Sequence, residues 1–147
     1  MRAIKSYQRT NIESAPNEEL IVMLVEAALR REVAADAAMA RGDRTGWLTE
    51  IHGARSVFVE LLVALDPTAQ PEIAKALSDT YRWILHHLTE AGRTGDRVRL
   101  DEVRAVTDTV RTMWTNAVRI HRGDVDPLDA TPLEADAFED DELLEAV

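Results

Sequence analysis

Four histidines, His52, His86, His87 and His121, are where chemistry would first be sought, because neutral imidazole is both a nucleophile and a metal ligand near neutral pH. A di-metal bundle needs inward Glu-x-x-His pairs, and a zinc helix needs His-x-x-x-His or His-Glu-x-x-His. Neither spacing occurs. His86 and His87 point about 100° apart on a helix and do not easily share a ligand. There is no glycine-rich phosphate loop and no Gly-x-Ser-x-Gly elbow. With no cysteine, disulfides, thiolate metal sites and a cysteine nucleophile are excluded together. The carboxylates towards the C-terminal end lack the central glycine and closing glutamate of a calcium loop. No enzymatic activity, metal or cofactor is expected.

One short constellation keeps a chemical alternative open. His52-Gly-Ala-Arg-Ser56 resembles, imperfectly, the His-x-x-Lys-Gly pattern of histidine phosphotransfer domains. His52 would take the phosphoryl group and Arg55 would steady the added charge. A surface histidine beside a helix-packing glycine explains the same five residues.

The elements that would position these residues are set by glycine and proline. Pro16, Gly42, Gly46, Pro67, Pro71, Gly92, Gly95 and Gly123 stand at or between long periodic stretches, and Gly53 alone falls inside one. The stretches run over about 17–41, 45–65, 71–91 and 96–122, each long enough for a helix of roughly 30–40 Å. Short turns between helices of similar length make antiparallel neighbours, so the expected fold is all-α, an antiparallel up-and-down four-helix bundle. Val103, Val106, Val110, Met113, Trp114 and Ala117 form the buried stripe of the fourth helix, and Ile73, Leu77, Tyr81, Ile84 and Leu88 that of the third. Arg97, Arg104, Arg111, Arg119 and Arg122 line the fourth helix's other side. Asp101 and Asp108 stand among them, at i,i+4 from Arg97 and Arg104, as on a solvated face.

Two stretches exceed what one-sided burial needs. Leu20-Ile-Val-Met-Leu-Val25 is apolar throughout, and eight of the nine residues from Val57 to Leu65 are apolar. Phe58, Leu62 and Leu65 make one stripe, Val57 and Leu61 a flank, and Val59 and Val63 face away. A helix apolar all round is either enclosed by its own chain or offers surface to a partner, and a small bundle has no central helix. A partner surface, cover by the N-terminal arm and a homo-oligomeric seam all remain open.

The 147 residues suit one domain of about 1–122, with an arm at 1–15 and an acidic appendage at 123–147. The net charge of −10 belongs to that appendage, which carries ten acids and no Lys or Arg; residues 1–122 hold 17 acids and 17 bases. A neutral body with an acidic tail does not suit nucleic acid. No apolar run approaches the roughly 18 residues of a membrane span, so no membrane insertion is expected. Met1-Arg-Ala-Ile-Lys-Ser-Tyr7 is basic without an apolar stretch behind it, so no secretory leader is expected and the protein is placed in the cytoplasm.

From end to end, residues 3–120 resemble the flagellar secretion chaperones of flagellin, the FliS family. Tyr7 and then Ile12-Glu-Ser-Ala-Pro-Asn-Glu-Glu-Leu-Ile21 are similar to the family's opening tyrosine and Glu-Thr-Ala-Ser-Pro-x-x-Leu-Ile. Met23-Leu-Val-Glu-Ala-Ala-Leu29, Ala40-Arg-Gly-Asp43 and Val59-Glu-Leu-Leu-Val-Ala-Leu-Asp66 follow in order, then Tyr81-Arg-Trp83, Gly95-Asp96 and Trp114. Val25 departs from the family's usual tyrosine, and Gly92 from its asparagine.

The resemblance implies a chaperone that holds the C-terminal segment of flagellin, prevents its premature polymerisation and delivers it to the export gate. It implies a partner laid over apolar grooves and an N-terminal arm that covers the binding surface until cargo displaces it. The residues expected at that surface are Ile4, Tyr7 and Ile12 in the arm, Val57, Leu61 and Leu65 in the second helix, and Tyr81 and Trp83 in the third. The chain is expected to be a monomer or weak homodimer.

Overall fold

The computed structural model describes residues 17–124, so the expected arm and all but the first two residues of the appendage lie outside it. Four helices follow one another: α1 (Asn17–Ala40), α2 (Arg44–Ala64), α3 (Pro71–Thr94) and α4 (Arg97–His121). α1 packs on α2 and α4, and α3 packs on the same two, so the helices close into an all-α four-helix ring.

The turns explain the boundaries. After α1, Gly42 takes φ +77°, a left-handed conformation that glycine adopts without a Cβ clash. Asp43 then caps α2 by accepting a hydrogen bond from the Gly46 N–H at 2.9 Å. A Cβ at Gly46 would collide with that carboxylate, so the cap requires glycine there. Pro71 opens α3 in the first turn, where its missing N–H costs no helical hydrogen bond. Asp96 caps α4 through the N–H groups of Val98 and Arg99.

α3 does not stop at residue 91. Gly92 lies inside the helix, buried, where an added Cβ would come 3.2 Å from Ile51 of α2. It is a packing glycine that lets two helices approach, and Gly95 ends the helix instead at φ +72° with its N–H on the Ala91 carbonyl.

The second helix turns a different stripe inward from the one its last nine residues suggest. Trp47, Ile51, Ala54, Phe58 and Leu61 are buried, whereas Leu62 and Leu65 are only partly so. Trp47 sets that face: spacings of four, three, four and three carry it to Leu61, not Leu62. The third-helix stripe from Ile73 to Leu88 is buried throughout, and in the fourth helix Val106 and Met113 sit at the edge of the core.

Polar contacts inside the core tie the ring together. The Trp114 indole N–H donates to the Tyr81 hydroxyl at 3.2 Å, and the Tyr81 ring meets Phe58 at 5.9 Å between centroids. Towards the other end, the Trp47 indole donates to the Ala91 carbonyl at 3.2 Å. Burial pushes the Tyr81 hydroxyl well above its ordinary titration range, so it stays neutral and available as an acceptor.

α1 and α4 are joined through a buried carboxyl group. Glu32 is fully enclosed and accepts a hydrogen bond from Thr107 Oγ1 at 2.9 Å, while its Oε1 has no hydrogen-bond partner. Burial raises its pKa from an ordinary 4.5 to about 8, against the opposing pull of Thr107 and Arg104. The folded chain therefore keeps a proton here that the unfolded chain releases. This contribution to stability is complete below about pH 4.5 and is lost as pH rises towards about 8, at about 1.4 kcal/mol per pH unit. Glu32→Gln should flatten that decline while leaving stability at low pH nearly unchanged. Denaturant melts of both proteins between pH 5 and 8 test this, and parallel pH profiles would contradict it.

Candidate functional site

The outer face of α2 is built from positions that its core stripe cannot use. With α1 on one side and α3 on the other, the third side of α2 has no helix against it. Arg44, Leu48, His52, Arg55, Val59 and Val63 run at helical spacing from the α3 edge of α2 out onto that side, with Arg44 and Leu48 beside Gly95 and Gly92 of α3. Val59 and Val63 remain 41% and 50% exposed, and Leu48 is exposed as well. Scattered surface valines are ordinary, but here an apolar half-face adjoins a basic half-face on one helix, with no carboxylate between them. Among the described residues Arg44 and Arg55 make no ion pair, and the Arg55 Nε atom is shut off from solvent without a hydrogen-bond partner there.

The residues expected at a partner surface are distributed unevenly. Val57 and Leu65 are partly exposed at the edges of α2, and Trp83 is 37% exposed on α3. Leu61 and Tyr81 are buried in the core, Tyr81 beneath the Trp114 hydrogen bond, so they support the surface from behind. Ile4, Tyr7 and Ile12 lie outside the described residues. The exposed Val59, Val63 and Leu48 were absent from the expected set. Their signal was present in the sequence, because Val59 and Val63 already face away from the stripe and Leu48 precedes Val59 by eleven residues, three turns of helix.

A second cluster lies where α3 meets α4. The rings of Trp83 and His87 sit 4.1 Å apart between centroids, and His86 meets His87 edge-on at 5.1 Å. Arg99 Nη1 reaches His87 Nδ1 at 3.1 Å, an arrangement in which the guanidinium donates and the imidazole accepts. Burial, the Arg99 charge and His86 all lower the His87 pKa from its ordinary 6.5, against weaker pulls from Glu102 and Glu90. The two histidines serve a ring cluster, and among the described residues no group of His, Asp or Glu is arranged to hold a metal.

The arginines of α4 are mostly occupied. Arg104 pairs with Asp101 and Arg111 with Asp108, each one turn back at i,i+3 and not at the i,i+4 spacings expected. Arg97 instead crosses to Asp36 of α1, with Nε to Oδ1 at 2.9 Å, which lowers the Asp36 pKa chiefly through that hydrogen bond. Arg122 pairs with Glu19 at the opposite end of the same interface. His52 is exposed on α2 and uses its backbone carbonyl to accept from Ser56. No described helix is long and apolar enough to cross a membrane.

This partly apolar outward face stands on a four-helix frame. The chain belongs to the FliS family: the family model described as flagellar protein FliS matches residues 1–121. The flagellar secretion chaperone FliSB of Pseudomonas aeruginosa is 31% identical over 118 residues, covering 78% of this chain and 94% of its own. The flagellar secretion chaperone FliS of Vibrio cholerae is 22% identical over 116 residues, covering 76% of this chain and 85% of its own. The family is one of chaperones and not a class of enzymes.

Trp83 offers a direct test of the α3–α4 cluster, because Trp47 and Trp114 are fully buried. Acrylamide should quench mainly Trp83 emission, and Trp83→Phe should remove most of the quenchable signal. Trp83 emission should also titrate with a midpoint below 6.5 as His87 gains its proton, and His87→Gln should abolish that step. A midpoint at or above 6.5 would contradict the burial and the Arg99 contact that hold the His87 pKa down.

Proposed function

We propose that this chain is a cytoplasmic flagellar export chaperone that holds the C-terminal segment of flagellin, prevents its premature polymerisation and presents it to the export gate. The observation that carries the reading is the outer face of α2, where Val59, Val63 and Leu48 are exposed in a family of secretion chaperones. A chain that folds only on binding loses conformational entropy as it orders, so its holder must offer apolar area to offset that loss. Fully burying a valine or leucine is worth about 1.5–3 kcal/mol, and the half-exposed ones here retain roughly half of that for a partner.

Val57 and Leu65 border this surface on α2, Leu61 and Tyr81 support it from the core, and Trp83 adds a separate contact where α3 meets α4. Ile4, Tyr7 and Ile12 belong to the same proposal as residues of an arm that yields to cargo. The working form is a monomer or weak homodimer that binds one flagellin. His52, though exposed beside Arg55, lacks any further group arranged for phosphoryl transfer among the described residues, and family membership favours binding.

Calorimetry with the cognate flagellin C-terminal segment should give a one-to-one complex and a negative heat-capacity change, the mark of apolar burial. A titration with no heat at several temperatures and no complex by light scattering would overturn the proposal.

A further inference from the structure

We propose that the acidic segment at residues 125–147 docks on the outer face of α2, laying Phe138, Leu143 and Leu144 over Val59 and Val63 with the carboxylates between these anchors towards Arg55. The inference rests on the reading of that face as the cargo surface and adds a competitor encoded in the same chain.

Three observations select this occupant. The first is position. Glu18 and Glu19 of α1 meet His121 and Arg122 of α4, so α4 ends where α1 begins. In a ring of antiparallel helices, that is also the end at which α2 finishes with Val59 and Val63. The fourteen residues from Asp124 to Phe138 span up to ~46 Å when extended, against about 13 Å across the diagonal of a bundle with helices about 8–10 Å apart.

The second observation is charge. Residues 125–147 carry nine acids and no bases, and the α2 face offers Arg55 one turn before Val59, in no ion pair among the described residues, while Glu60 stands at the far edge of the face beyond Val63. The arginine row of α4 is nearer, yet Arg97, Arg104, Arg111 and Arg122 already face carboxylates, leaving Arg119. The arm also joins the bundle at this end, but Arg2, Lys5 and Arg9 against Glu13 give it the same sign as the α2 cations.

The third is pattern. Phe138-Glu-Asp-Asp-Glu-Leu-Leu144 sets apolar anchors on both sides of four acids, which matches a face whose apolar half adjoins a basic half. Such a contact is individually weak and salt-screened, as a competitor that must yield to cargo needs to be.

The absence of cysteine allows a clean test in the full chain. A spin label on Ala146→Cys should broaden the Val59 and Val63 methyl signals at least twofold more than that of Met23, an exposed side chain at the same end of α1. The effect should vanish in a Phe138→Ser, Leu143→Ser, Leu144→Ser variant and be absent when label and isotope sit on different molecules. Equal broadening at Met23, broadening centred on Val118 and Ile120 of α4, or transfer between molecules would each overturn the proposal. Adding the flagellin segment should restore the Val59 and Val63 signals. If flagellin binds and leaves the broadening in place, the tail contact stands and the face is not the cargo site. If no broadening is seen while flagellin binds, the tail proposal fails and the chaperone reading survives.

Discussion

The structure turns on the Tyr81 hydroxyl, which receives the Trp114 indole N–H while its ring rests against Phe58. This one side chain fastens α3 to α4 and to α2, and it does so with a hydrogen bond kept out of water. A buried neutral hydrogen bond contributes about 1 kcal/mol, but losing one partner would strand the other at a cost of about 1–3 kcal/mol. The bond therefore selects one register among the several that apolar stripes alone would tolerate. Glu32 and Thr107 do the same between α1 and α4, and Trp47 with the Ala91 carbonyl repeats the device between α2 and α3. Three pairs of helices are thus locked by polar atoms as well as by packing.

Once the ring is locked, each helix has two neighbours and one free side. On α4 that free side carries Arg104 with Asp101 and Arg111 with Asp108, while α1 also leaves Met23 and Val33 exposed. On α2 the core already has Trp47, Ile51, Ala54, Phe58 and Leu61, and the valines left over have no inward position to take. Apolar surface that cannot be buried by rotation, because rotation would expose Phe58 and break the Tyr81 contact, is left for a segment outside the four helices or for another chain. The proposed binding function rests on this surplus, which the four helices do not absorb.

Much of this was legible in the sequence. Glycine and proline punctuation revealed four helices, and the periods of α3 and α4 gave their buried stripes correctly at Ile73, Leu77, Tyr81, Ile84 and Leu88 and at Val103, Val110 and Trp114. The ordered family resemblance carried the chaperone class. What misled was local reading of glycine and of apolar runs. Gly92 looks like a helix end because sequence alone does not show Ile51 pressing on it from α2. The uniform run from Val57 to Leu65 contains no polar residue to mark its outer side except Glu60, so its facing emerges only when Trp47 is taken as the start of the stripe. Glu32 went unnoticed although it stands four residues after Ala28 and three before Ala35, at core spacing. A carboxylate on an apolar stripe is a readable sign, and its partner Thr107 is distant in sequence and near only in the fold.

The central claim is that the outer face of α2 serves binding and not stability. It is tested most directly by Val59→Asp, with denaturant unfolding and flagellin affinity measured on the same preparation. Because Val59 is on the surface, unfolding should shift by no more than about 0.5 kcal/mol. A carboxylate set into an apolar contact should weaken flagellin binding at least tenfold, equivalent to about 1.4 kcal/mol. Unchanged affinity, or a loss of stability comparable to the about 2–5 kcal/mol expected from truncating the buried Leu61 to alanine, would contradict the account.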